Sequence, residues 1–460
     1  MTEVAIAGVR RSGPDRDLPP VRRAAVIPAG FRAGGAAAGI KASGRPDIAL
    51  IAATAGPVAA AAVFTPNAFA AAPVRLSRAN LATTSGDPRG GYGSARAVIC
   101  TSGCANAATG VDGDRDQAAV GRLVADALGL DEVHVLHLST GVIGTRLPLA
   151  NVGSGLDSLV PGLAADDGAL AAAAEALRTT DSVSKVATAT VSLPGPDGRA
   201  VPVTVTGLAK GVGMIHPAMA TMLSVVLTDA AIDPALLWSL LRPAAARTWD
   251  QLSVDGDTST NDTVFVLASG ASAAAAVVGG SEAAEALGAA LEAVARDLAR
   301  QQAADGEGAT ILITAQVTGA RDDAAARAVA RAIVSSNLFK AAAHGKDPNW
   351  GRIAGAAGNA TLAGAGVLEA SGLPAEEAAA RAGRPVVLDP SLLRITIADF
   401  LVFDGRQGGP VAFDRAAARA AMDAPELVVG LDLGLGSGTG EAFGCDLTEA
   451  YVIENSEYTT

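Results

Sequence analysis

The stretch Lys210-Gly-Val-Gly-Met-Ile-His-Pro-Ala-Met-Ala-Thr221-Met-Leu223 sets a cation, two glycines, a proline and a hydroxyl close together. If the loop holds the Ala220–Thr221 peptide under strain, the Thr221 hydroxyl can attack the Ala220 carbonyl, and glycines let a backbone take conformations that other residues avoid. Hydrolysis of the resulting ester frees the Thr221 amine. An α-amino group titrates near pH ~7.7–8.0, so it can act as base for its own hydroxyl. On these residues alone, a plain Gly/Pro-rich loop feeding a strand, with Thr221 as β-branched filler, is the stronger reading.

The flanking elements must position that chemistry. Residues 186–193 and 201–206 alternate like strands around Pro194-Gly-Pro-Asp-Gly, which has strong turn chemistry and predicts a hairpin. After Thr221, residues 222–227 form an apolar run suited to a buried strand. Asp233-Pro234 predicts a helix start with Pro at the first helical position, running to residue 241. Leu287, Leu291, Val294 and Leu298 make one apolar stripe over residues 281–304, with Ser281 available as cap. A strand-like Ala-Thr-Ile-Leu-Ile-Thr-Ala-Gln-Val follows Asp305-Gly306, and then a second Ala-rich helix over 323–335 before an Asp-Pro-Asn-Trp-Gly-Arg turn. Hairpins mixed with amphipathic helices predict an α+β sandwich, with no repeat array.

Composition narrows the function. With 460 residues, 50% of them hydrophobic, the chain can bury large cores and is expected to form two or three units. Aromatic residues make up only 3%, so Ala, Val, Leu and Ile must fill those cores. A formal charge of −12 argues against nucleic acid, and an anionic substrate would need local donors against the global field.

Metal and redox chemistry have little support. Cys100, Cys104 and Cys445 make no disulfide framework, and the Cys100/Cys104 spacing has no second pair, so structural thiols in a reducing cytosol are expected. His134 and His137 sit at odd spacing in a strand-like run, which is poor geometry for sharing a metal. The acidic loop Asp255-Gly-Asp-Thr-Ser-Thr-Asn-Asp lacks the glycine and bidentate glutamate of an EF-hand, so no metal is expected there. Arg10-Arg11 is followed by Ser, Gly, Pro and Asp instead of an apolar region, and residues 1–23 read as a flexible extension. The apolar run 48–64 is broken at Gly56-Pro57 and fits two core strands joined by a turn better than a membrane span.

The cleavage-like segment is similar to the signature of the ornithine acetyltransferases, the glutamate N-acetyltransferases of arginine biosynthesis. Matches recur from about residue 24 to 460: Gly30-Phe-Arg-Ala-Gly-Gly, Gly39-Ile-Lys-Ala-Ser-Gly-Arg-Pro-Asp, Ser139-Thr-Gly-Val-Ile-Gly, Thr179-Thr-Asp, Ser253-Val-Asp-Gly-Asp-Thr-Ser-Thr-Asn-Asp-Thr, Asp305-Gly-Glu-Gly-Ala-Thr, Asp347-Pro-Asn-Trp-Gly-Arg and Cys445-Asp-Leu-Thr-Glu. The resemblance implies a layered α/β sandwich of the self-cleaving type, with a catalytic core over 24–300 and a smaller C-terminal α/β domain over 301–460. It also implies a cut between Ala220 and Thr221, giving an α chain 1–220 and a β chain 221–460 that assemble as an α2β2 heterotetramer.

The resemblance further implies roles. Thr221 becomes the nucleophile, and Thr140 and Gly141 form the oxyanion hole; in isolation that Ser/Thr-Gly segment reads as a capped strand-to-helix turn. Lys210, one of Thr179 and Thr180, Thr221, Glu307, Asn455 and Thr460 bind substrate, the last two from a C-terminal tail. Taken singly, Lys210 and Glu307 are the types of residue most often found solvated on a surface. The implied reaction moves an acetyl group from N2-acetyl-L-ornithine to L-glutamate in the cytoplasm, without a cofactor; some members also use acetyl-CoA as co-substrate. A related self-cleaving aminopeptidase or amidase, a paralogue acting on another acetyl-amino acid, and a non-enzymatic binding protein are the alternatives. The family carries an asparagine where this chain has Cys104, trading an amide for a weak donor.

Overall fold

A computed structural model describes residues 18–216 and 222–456. Pro217, Ala220, Thr221, Thr460 and residues 1–17 of the N-terminal extension lie outside the described residues. Two compact units divide the described residues: a larger one of residues 18–250 and 255–307, and a smaller one of residues 251–254 and 308–456.

The larger unit is built on two sheets. One has seven strands in the order Val21–Arg22, Lys185–Pro194, Ala200–Lys210, Leu223–Thr228, Thr263–Ala268, Val58–Phe64 and Tyr92–Ala95. The other has four, ordered Phe31–Ala36, Ile48–Ala53, Ala97–Cys104 and Val135–Val142. Phe31, Ile51, Val98 and Leu138 of the small sheet share one core with Leu208, Val225, Phe265 and Leu267 of the large one, so the sheets pack face to face. Side chains of small volume line much of this interface, among them Ala33, Ala49, Ala60 and Ala62, which answers the scarcity of aromatics. Each larger apolar side chain removed from water there contributes about 1.5–3 kcal/mol.

Helices cover the outer faces. Gly110–Leu128 and Leu149–Leu159 pack on the small sheet through Val120, Val124, Val152 and Leu156. Pro234–Arg247 and Glu282–Ala304 cover the large sheet, where Gly207 leaves room for Val294 and Leu298. Ser281 caps the longest helix by accepting the Ala284 amide, as its position predicts. The helix begun by Asp233 and Pro234 runs on past residue 241 to Arg247 with Pro243 inside it. Burial of Leu241, Ala244 and Ala245 outweighs the hydrogen bond that Pro243 cannot donate.

The hairpin over 185–210 forms as its turn chemistry predicts, with Pro194 opposite Ala200. Residues 48–64 do give two core strands, yet the strands do not pair. Ile48–Ala53 belongs to the small sheet and Val58–Phe64 to the large one, so Gly56-Pro57 carries the chain from one layer to the other.

The smaller unit holds a seven-stranded mixed sheet ordered Leu252–Ser253, Gly438–Cys445, Leu312–Ala320, Glu426–Asp432, Arg394–Ile397, Phe400–Asp404 and Gly409–Pro410. Helix Asp323–Val334 packs on it through Ala326, Val329, Ala330 and Ile333. Instead of leading straight to a turn, it is followed by helices Asn337–His344 and Trp350–Gly358, the latter capped by Asn349. Buried Asp446 ties the start of this unit together by accepting the Thr310 and Ile311 amides and the Thr310 hydroxyl. Among the described residues no helix is long and apolar enough to cross a membrane.

Candidate active site

The large sheet fixes the ground on either side of residues 217–221. Leu223, the first residue of its strand, lies opposite Lys210 in the antiparallel neighbour and opposite Thr263 in the parallel one. Just before it, the Met222 amide donates to Asp262 Oδ1 at 3.1 Å. On the other side, Asp255 accepts from the Ile215 amide at 2.8 Å and from the Met214 amide. Two carboxylates of the acidic loop, Asp255 and Asp262, are therefore engaged by backbone amides, one on each side of residues 217–221.

Thr140 and Gly141 lie at the end of strand Val135–Val142, beside Gly103 and Cys104 of the parallel neighbour. Here only glycine fits: Gly141 has φ +127°, and a Cβ on it would stand 2.3 Å from the Gly103 carbonyl carbon. Asn261 pins this corner, donating from Nδ2 to the Ser139 carbonyl at 2.8 Å and the Ala105 carbonyl at 2.7 Å. Lys210 reaches it from the large sheet, with Nζ donating to Thr140 Oγ1 at 3.1 Å.

A second group of residues meets at the foot of the Lys185–Pro194 strand. Buried Asp181 accepts the Gly211 amide at 2.8 Å and the Lys185 ammonium at 2.7 Å through Oδ1, and the Thr179 amide at 3.1 Å through Oδ2. Lys185 Nζ also donates to Asp305 Oδ2 at 2.6 Å. Two residues beyond Asp305, Glu307 accepts the Thr180 hydroxyl at 2.8 Å and donates its own amide to the Val212 carbonyl. Gln302 Nε2 donates to the Lys210 carbonyl, closing the ring of contacts.

Electrostatics follow from burial and from these charges. Burial pushes the Lys210 ammonium below its usual range, while Asp181 pulls it back. Burial works to raise Asp181 as well, but Lys210 and Lys185 overcome it and hold the carboxyl below the ordinary carboxylate range. Asp262 has no such cation bonded to it; burial raises it well above that range, against the lowering influence of hydrogen bonds from the Met222 amide and from Ser259. Cys100, behind the site, is pushed up to about 12 by burial, and His137 down to about 3.

Of the residues singled out from the sequence, Thr140, Gly141, Thr179, Thr180, Lys210 and Glu307 all fall within this linked set in the larger unit. Asn455 belongs to the smaller unit, on helix Glu449–Ser456, where its Nδ2 donates to the Tyr451 carbonyl at 3.0 Å. Ala220, Thr221 and Thr460 lie outside the described residues. Sequence reasoning gave no role to Asp181, Lys185 and Asp305, and weighed Asp255 and Asp262 only as cation ligands. It also missed Lys41, whose Nζ donates to the Pro46 carbonyl at 2.7 Å and the Arg178 carbonyl at 2.5 Å. Asp181 and Lys185 at i,i+4 were the legible part of that set; Asp305, far along the chain, was not. Cys104 is buried, donating to the Thr145 carbonyl at 3.2 Å.

The model of the ArgJ family matches residues 32–460. The chain belongs to the ArgJ family. ArgJ relatives match along nearly its whole length: the arginine biosynthesis bifunctional protein ArgJ of Thermosynechococcus vestitus is 44% identical over 447 residues, covering 94% of this chain and 96% of the relative. Its namesake from Synechocystis is 43% identical over 442 residues, covering 94% and 97%. A crystal structure of the ArgJ protein from Bacillus halodurans aligns with 35% identity and a TM-score of 0.43, covering 50% of this chain and 97% of that one.

Proposed function

We propose that this chain is a self-cleaving acetyltransferase that moves the acetyl group of N2-acetyl-L-ornithine to L-glutamate through an ester on Thr221. Family membership carries the reading, and the convergence of Thr140, Lys210, Thr180 and Glu307 in one unit supports it. The cut between Ala220 and Thr221 yields an α chain 1–220 and a β chain 221–460, which associate with each other and with second copies as α2β2.

The chemistry runs in two matched halves. The Thr221 hydroxyl loses its proton to its own α-amine and its oxygen attacks the acetyl carbonyl carbon. The carbonyl oxygen becomes an oxyanion that the Thr140 hydroxyl and the Gly141 amide stabilise. Collapse breaks the bond to the N2 nitrogen, which takes the proton and departs as the ornithine amine, leaving acetyl-Thr221. The glutamate amine then attacks the ester carbonyl by the reverse sequence. Lys210 supplies positive charge for a substrate carboxylate, and Glu307, held by Thr180, supplies the negative partner for a substrate ammonium. Asn455 and Thr460 complete the substrate contacts.

Incubation with acetyl-ornithine, with and without glutamate, tests the reading. Acetyl-glutamate formed in step with ornithine, and an acetylated β chain trapped by mass spectrometry in wild type but absent in Thr221→Ala, are the expected results. Acetate release indifferent to glutamate would instead mark an amidase. The relatives are named bifunctional, and acetyl-CoA with glutamate is the assay for a second acetyl donor.

A further inference from the structure

Resting on the reading of Thr140 as an oxyanion donor, we propose that Lys210 orients the Thr140 hydroxyl toward the reacting carbonyl, and that Asp181 is the positioning residue that keeps the Lys210 ammonium in place. This gives Lys210 a duty separate from any contact with a substrate carboxylate.

The argument begins with donor and acceptor counts. A threonine hydroxyl has one proton and rotates freely, so an unassisted Thr140 could aim its proton away from an oxyanion or even point a lone pair at it. An ammonium can only donate. With Lys210 Nζ 3.1 Å from Oγ1, a Thr140 lone pair is committed to the lysine and the hydroxyl proton must lie in another direction. Both side chains are buried, so water does not compete for the hydroxyl. A hydroxyl whose proton is already directed pays no reorganisation cost as charge develops.

Asp181 secures the other end. It is buried and accepts the amide of Gly211, the residue after Lys210, so the same carboxylate fixes the backbone and is the negative charge that most favours the ammonium. The Thr179 amide and Lys185 hold the carboxylate in turn, and Asp305 holds Lys185. Around Lys210 the other charged or titratable groups are Lys41, Cys100, Lys185, Asp262 and Glu307. Asp181 and Glu307 favour the ammonium, and Lys41 and Lys185 oppose it. Burial is the largest opposing influence, which places loss of the ammonium below the ordinary lysine range.

The sign of the pH effect follows. Orientation of Thr140 holds while Lys210 is charged and fails as pH rises through its titration, so activity has a basic limb. Asp181→Asn removes the main supporting charge and should move that limb to lower pH. Lys185→Gln removes an opposing charge and should move it to higher pH. Opposite displacements from two neighbouring buried substitutions are not produced by loosened packing.

The experiment compares kcat per cleaved chain across pH for wild type, Asp181→Asn, Lys185→Gln, Lys210→Met and Thr140→Ala, with acetyl-ornithine and glutamate saturating. Thr140→Ala and Lys210→Met are each expected to lower kcat by about 10²–10³-fold, the scale of losing one oxyanion donor. A kcat within a few fold of wild type in Thr140→Ala overturns the reading of Thr140 itself. A large loss in Thr140→Ala with an unmoved limb in both Asp181→Asn and Lys185→Gln overturns the present proposal alone. Where a variant remains uncut, the lysine ε-carbon NMR titration of the full chain, with Lys210 identified by its absence in Lys210→Met, reads the same two displacements; unmoved signals have the same consequence.

Discussion

Gly213 lies so close to Glu307 that a Cβ on the glycine would stand 2.1 Å from Glu307 Oε2. The loop before residues 217–221 and the acid proposed to meet a substrate amine thus leave one another no room for a further carbon. Only a hydrogen at Gly213 allows the Glu307 carboxylate to accept the Thr180 hydroxyl where it does.

Gly213→Ala is therefore expected to push Glu307 aside and release Thr180. A hydrogen bond to a charged group contributes about 1.5–3 kcal/mol, so KM for acetyl-ornithine should rise roughly ten- to a hundredfold. The change should fall mainly on KM, with kcat less affected, and steady-state kinetics on the cleaved protein read the split. A KM unchanged from wild type would show that Glu307 does not meet the substrate.

Asp262 sets a pH dependence of stability. Its folded-state carboxyl is raised by burial, so the stabilisation it contributes is fully present below the unfolded carboxylate pKa and is lost as pH rises toward the folded value. Asp262→Asn keeps an acceptor for the Met222 amide but has no charge to bury. Urea midpoints should fall from pH 5 to pH 9 more steeply in wild type than in the variant; parallel profiles would mean that the Asp262 carboxyl is solvated.

Gly141→Ala combines a backbone strain of about 1–3 kcal/mol with a collision against Gly103. The amide that would donate to the oxyanion must move, and kcat should fall by about 10²–10³-fold even in protein that remains folded. Circular dichroism establishes folding, and acetyl-transfer rates decide the point.

Cys104→Ser tests the thiol that lies beside Thr140 and Gly141 in the neighbouring strand. The sulfur is buried and engaged with Thr145 on both counts, donating to its carbonyl and accepting its hydroxyl at 3.4 Å. Acetyl transfer should stay within about threefold of wild type, less than 1 kcal/mol. Abolished transfer would make Cys104 part of the chemistry.

The sequence made local structure legible where one segment decides its own conformation. Turn residues around Pro194 to Gly198 announced their hairpin, and the apolar stripe with Ser281 announced its helix. Partnership between distant segments was another matter. Nothing in residues 48–64 says that the two strands enter different sheets, because both are buried on both faces and carry no alternation to orient them. The Lys185 to Asp305 ion pair spans 120 residues, so spacing could not suggest it. Asp255 and Asp262 drew attention only as possible cation ligands, since their true partners are backbone amides, which every residue but proline carries and no motif distinguishes.

The order of strands in the large sheet also governs what becomes of the chain once it is cut. Strands Leu223–Thr228 and Thr263–Ala268 come after the proposed break, yet they lie between Ala200–Lys210 on one side and Val58–Phe64 on the other, both from before it. Neither fragment owns the whole of this sheet, and each would expose two raw hydrogen-bonding edges of it alone. The nick therefore gives the enzyme a new terminus without giving it dissociable parts: pieces from two differently labelled preparations should fail to exchange at any dilution that leaves the fold intact.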